Sequence, residues 1–110
     1  MSTRVVITGL GVVSPIGIGV SEFWKAALAG RSGITAIESF APFAMEGYRC
    51  KVAGQILGFS PEQYLPSNQA DRVDRYAQFA LVASKEALSD ADLAMSKEAP
   101  HRVGVIVGAG

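Results

Sequence analysis

The residues whose types and spacing come nearest to chemistry are the glycines that follow the first apolar run, in the stretch "RVVITGLGVVSPIG" at positions 4–17. Gly9-Leu10-Gly11-Val12-Val13-Ser14 approaches the G-x-G-x-x-G pattern that lets a backbone come close to a dinucleotide pyrophosphate, with serine in place of the last glycine. That chemistry needs a helix that begins inside the motif, so that its free amides meet the phosphate. Here Pro15 and Gly17 intervene, the next helix signal comes only at Ser21, and Glu38 falls beyond the usual spacing for a ribose-binding acid. No G-K-[ST] phosphate loop is present either. The glycines are therefore read as structural, allowing a tight, buried turn at the end of a central strand.

The other reactive residue types are sparse. Cys50 lies between Arg49 and Lys51, cations that would favour a thiolate, but no helix start and no second polar group supports it, so it reads as a bystander. His101, beside Pro100, reads as a surface loop residue, and nothing ties it to Cys50. Carboxylates are scattered without a spacing that pairs two across one substrate. One cysteine and one histidine make neither an internal disulfide nor an ordinary structural zinc site. No catalytic residue, metal or cofactor is expected in this chain.

The elements that would position such groups read as follows. Val5 to Thr8 is a continuous β-branched run without polar alternation, which predicts a strand covered on both faces. Ser21 is placed to cap a helix through Ala29, with Phe23, Trp24, Ala27 and Leu28 as its apolar stripe and Gly30 as its left-handed stop. Positions 31–59 read mostly as loop, broken by Pro42 and several glycines, with one short strand near Val52 to Ile56. Ser60-Pro61-Glu62-Gln63 carries a capping signature that predicts one helical turn, stopped by Pro66. From Arg72 to Ala91 the spacing predicts a long amphipathic helix. Val73, Tyr76, Ala77, Ala80, Ala83, Ala87 and Leu88 share its packed face, a small-residue side that permits close approach, while Asp74, Arg75, Gln78, Lys85, Glu86 and Ser89 take the solvated one. Arg102 to Val107 predicts a second buried strand. This order predicts an α/β fold with a parallel sheet.

Composition narrows the classes. A chain of 110 residues supports at most one small domain, burying about 65% of its unfolded surface. Ten basic and ten acidic residues balance, so no global field draws it to nucleic acid or anionic lipid. No apolar run approaches the ~20 residues of a membrane span, and Met1 to Arg4 does not open a signal segment. A soluble cytoplasmic protein, with no nucleic-acid or membrane partner, is expected.

Four blocks in order, "RVVITGLGVVSPIG", "FWKAALAGRSGI", "DRVDRYAQFALVASKEAL" and "RVGVIVGAG", resemble the N-terminal region of the β-ketoacyl-[acyl carrier protein] synthases of the elongating type. The resemblance covers essentially the whole chain. It implies the N-terminal portion of a thiolase-like fold, a layered α/β architecture with a mixed sheet, of which residues 1–110 form an incomplete part. It also implies an acyltransferase that condenses an acyl thioester with malonyl-carrier protein, in fatty acid or polyketide synthesis, usually as a homodimer. The family's nucleophilic cysteine sits in an A-C-x-S type motif that matches nothing here, and His101 lies outside its histidine motifs, so the chain alone is expected to be inactive. Gly108-Ala109-Gly110 matches the segment running past the family's active cavity, which makes Gly110 a candidate for the pocket edge. Before the long helix, where such synthases often carry a basic patch for the acidic carrier protein, only Arg72 and then Arg75 keep the charge, unless both merely pair with nearby acids. The alternative parent is a chain-length-factor-like subunit, non-catalytic, in a heterodimer with a related ketosynthase.

Overall fold

The computed structural model describes residues 2–37 and 46–110, so Glu38 and Pro42 lie outside the described residues. The architecture is α/β, built from short antiparallel ladders and helices. A hairpin pairs β1 (Val13–Ser14) with β2 (Gly17–Ile18) in the register Val13 to Ile18 and Ser14 to Gly17. Its two-residue turn is Pro15-Ile16, tied across by Ser14 Oγ donating to the Gly17 carbonyl at 2.9 Å. The tight turn expected at Gly9 and Gly11 is therefore located here instead.

Helix α1 (Val20–Leu28) starts after Gly19, whose φ of 93° and lack of a side chain leave it without a local cap. Ser21, expected to be that cap, lies inside the helix. The helix ends as expected, with Gly30 left-handed at φ 66°. Arg31 N donates to the Ala26 carbonyl and Gly30 N to that of Ala27, the paired bonds of a Schellman stop. Its expected apolar stripe is corrected: Ala26 is the buried residue, while Trp24 and Leu28 are 59% and 71% exposed. α1 packs along β2, where Gly17 lies against the backbone of Glu22 and Phe23.

A second ladder pairs β3 (Ile34–Ala36) with β4 (Val52–Gly54), joining Ile34 to Gly54 and Ala36 to Val52. The sequence reading anticipated only its second strand. Pro61–Gln63 forms the predicted single turn, of 3-10 type. The long helix predicted from Arg72 to Ala91 forms as α3 (Arg75–Asp90), starting three residues later, and a single turn that was not predicted, α2 (Ser67–Ala70), precedes it. The break between the two is held by Gln78, whose Nε2 donates to the carbonyls of Ala70 and Val73, while Asp74 adopts extended backbone ahead of α3. At the other end Asp92 is left-handed at φ 52°, a stop of the same kind as that of α1.

The core gathers Phe59, Leu65, Ala70 and Val82, with Val13, Ile18, Ile56 and Phe79 packed against it. Val82 and Phe79 lie off the face predicted to be buried, so α3 packs on two sides. The expected parallel sheet does not form among the described residues. Residues 4–8 and 103–107 are outside any ladder, with Val5 90% and Ile106 100% exposed. Such runs hold as strands only when both ladder partners and covering layers are present, and neither run has a ladder partner here.

Candidate functional site

The glycine segment now has a physical explanation, and it is not a ligand. A Cβ added at Gly9 would fall on the carbonyl of Ala87, and one added at Gly11 on the carbonyl of Ala83. Neither glycine has a positive φ. The backbone of the segment thus lies directly against the backbone of α3, along its small residues Ala83, Ala87 and Ala91. That alanine side was predicted to permit close approach, and it does. Two carboxylates of α3 complete the contact: Asp90 Oδ2 accepts from Leu10 N at 3.0 Å, and Glu86 accepts from Val12 N at 2.9 Å and Val20 N at 2.8 Å. Glu86, assigned to the solvated face, is half-buried instead. A carboxylate on an alanine-rich face opposite a glycine pair was the available signal for this contact.

Residues 107–110 and the outer side of α3, at Tyr76, Ala77, Ala80 and Leu81, line an apolar groove of about 650 Å³. Gly110 stands at this groove, and a Cβ there would meet nothing within 4 Å. Tyr76, predicted to be packed, is 69% exposed along it. A smaller cleft of about 410 Å³ lies between β2, Tyr64 and α3, and Lys85 beside it donates to the Tyr64 carbonyl at 3.0 Å.

The two candidate docking arginines are not equivalent. Arg75 Nη2 donates to the Ile56 carbonyl at 2.6 Å, and its guanidinium lies 5.7 Å from the Phe59 ring centre and 5.2 Å from that of Phe79. It is a cover over the aromatic core, bonded to a carbonyl and not to an acid. Arg72 is exposed and takes part in no ion pair among the described residues.

Cys50 is exposed, with Sγ donating to the Val52 carbonyl at 3.3 Å. His101 is exposed in the 3-10 turn Pro100–Arg102. No hydrogen bond joins the two among the described residues, and no group of three His, Cys, Asp or Glu there is placed to hold a metal ion. No described helix is long and apolar enough to cross a membrane.

Comparison with known proteins places this geometry. The family model for the β-ketoacyl synthase N-terminal domain matches residues 2–110. The chain is 44% identical over 106 residues to the tetracenomycin polyketide synthase ketoacyl synthase beta subunit of Streptomyces glaucescens, covering 96% of this chain and 25% of that protein. It is 40% identical over 107 residues to 3-oxoacyl-[acyl-carrier-protein] synthase 2 of Vibrio cholerae, covering 97% and 25%. Among solved structures, the ishigamide ketosynthase/chain length factor superposes with a TM-score of 0.68 at 35% identity, over 83% of this chain and 22% of that one. A type II polyketide acyl carrier protein in complex with its ketosynthase bound to the hexaketide gives a TM-score of 0.63 at 35% identity, over 88% and 21%. The chain spans about a quarter of the length of these curated relatives.

Proposed function

The chain belongs to the β-ketoacyl synthase family, matching the model of its N-terminal domain, and from that premise we propose that the whole protein is a carrier-protein-dependent condensing enzyme. The observation that carries the reading is the 40% identity to a 3-oxoacyl-[acyl-carrier-protein] synthase along 97% of this chain. In the proposed reaction a cysteine thiolate, outside residues 1–110, attacks a carrier thioester and takes the acyl group as the carbon–sulfur bond to the carrier breaks and the carrier's thiol leaves. Malonyl-carrier protein then loses carbon dioxide, its carbanion attacks the enzyme-bound acyl carbonyl, and the thiolate leaves as the 3-oxoacyl carrier forms. Residues 1–110 supply scaffold, with Gly110 at the pocket edge and Arg72 as the arginine offered to an acidic carrier protein. A dimer and a cytoplasmic setting, in which exposed Cys50 stays reduced, belong to the same proposal.

The test is an assay of the whole protein with acyl- and malonyl-carrier protein, reading carbon dioxide release and 3-oxoacyl product. Cys50→Ser and His101→Ala are expected to leave the rate within about twofold, since neither group is built into a site; a hundredfold loss in either would move catalysis into this chain. Arg72→Glu is expected to raise the KM for carrier protein several-fold while kcat holds, as removal of a rim charge does. An unchanged KM would remove Arg72 from the docking surface.

A second reading is favoured by the 44% identity to a ketoacyl synthase beta subunit and by the ketosynthase/chain length factor neighbour. In it the protein is a non-catalytic partner that shapes the cavity of a heterodimer. Labelling with a thiol-directed, acyl-mimetic inhibitor separates the two, because only the enzyme carries the reactive cysteine.

A further inference from the structure

Three backbone amides of this fold end on two side chains of one helix. Leu10 N donates to Asp90 Oδ2, Val12 N to Glu86 Oε2 and Val20 N to Glu86 Oε1, at 3.0, 2.9 and 2.8 Å. The spacing has a simple origin. Amides two residues apart on extended backbone lie on the same edge about 6.7 Å apart, and side chains four apart on a helix rise about 6 Å along its axis. Leu10 with Val12, and Asp90 with Glu86, are such pairs, so the segment and the helix are in register. The backbone contact of Gly9 and Gly11 with Ala87 and Ala83 brings the two close enough for short carboxylate side chains to reach.

We propose that Glu86 and Asp90 form a carboxylate latch that caps helix α1 from helix α3 and closes one edge of the segment Leu10–Val12 to strand pairing. The capping half follows from Gly19, which has no side chain to offer the free amides of α1. Glu86 supplies that acceptor from 66 residues away, with a charge of the sign that a helix N-terminus favours. The closing half follows because a ladder partner on that edge would need the same two amides that the carboxylates occupy. A strand that joins this side in the whole protein therefore stops before Leu10, and the latch sets the register of the sheet. It depends only on the fold and stands apart from the condensation reaction.

Site-resolved amide hydrogen exchange on the whole protein tests it. In the unaltered protein Leu10, Val12 and Val20 are expected to be protected. Asp90→Ala should speed exchange at Leu10 about tenfold or more, with Val12 and Val20 unchanged, and Glu86→Ala should do the reverse. Glu86→Gln keeps one acceptor oxygen and should free one of the Glu86-bound amides while holding the other, which gives a reading even where Glu86→Ala does not fold. Free exchange of Leu10 and Val12 in the unaltered protein overturns the latch. So does retained protection in the variants, which would put another strand on those amides, or an equal acceleration at all three amides in Asp90→Ala and Glu86→Gln.

Discussion

Gly11→Ala is expected to destabilise the whole protein by about 3 kcal/mol or more, the upper end of overpacking costs. The reason lies in what the added methyl meets. It would land on the Ala83 carbonyl in the middle of α3, a backbone atom that cannot rotate away as a side-chain tip does. Relief requires the segment to lift off the helix, which would also break the bonds from Leu10 and Val12 to Asp90 and Glu86. Urea unfolding measures it: Gly11→Ala should lower the midpoint relative to the unaltered protein at unchanged slope. Equal midpoints would mean that the helix contact is looser than the geometry requires.

Phe59→Ala is expected to cost about 3–5 kcal/mol, the range for deleting a buried aromatic side chain. Phe59 is the hub of the core. It stacks on Tyr64 at 5.5 Å, meets Phe79 edge-on at 5.0 Å, and is covered by the Arg75 guanidinium. Its removal also strips that guanidinium of one of its two rings, so Phe59→Ala and Arg75→Ala should couple, by about 0.5–1 kcal/mol. Trp24→Ala is the contrast, since Trp24 is exposed on α1 and its loss should cost under about 1 kcal/mol. The same urea series measures all of them. A Trp24 cost as large as that of Phe59 would show that the α1 stripe is covered in the whole protein.

Much of the local structure was legible because its causes are local. Gly30 ends α1 because only a residue without Cβ takes that left-handed turn freely, and this can be read from position and type alone. Pro61 at the first helical position starts its turn for a local reason too, although Ser60 makes no side-chain cap bond there. The alanines at positions 83 and 87 announced a close backbone approach without saying what would approach. The family, too, was legible, since four short blocks in order are specific even where no single one is.

What went astray depended on distant partners. Ser21 looked like a cap because a cap was needed, but the acceptor came from Glu86, far along the chain. The pattern also could not show that the Arg75 guanidinium lies over Phe59 and Phe79. The long helix was legible from its periodicity, but the extra turn Ser67–Ala70 before it was not, nor the bonds from Gln78 to the carbonyls of Ala70 and Val73 that tie the two together.

By itself, then, the sequence determined the residue types that stop helices, the presence of two helical stretches after a glycine-bearing apolar run, and membership of the β-ketoacyl synthase family. Tertiary structure alone decided why Gly9 and Gly11 are glycines, which carboxylates cap which amides, and which arginine covers the aromatic core. The division is physical. Backbone conformational preference acts within a few residues and leaves its mark in the local pattern, whereas steric contact and hydrogen bonding between α3 and residues 9–20 exist only after folding brings positions more than 60 apart together.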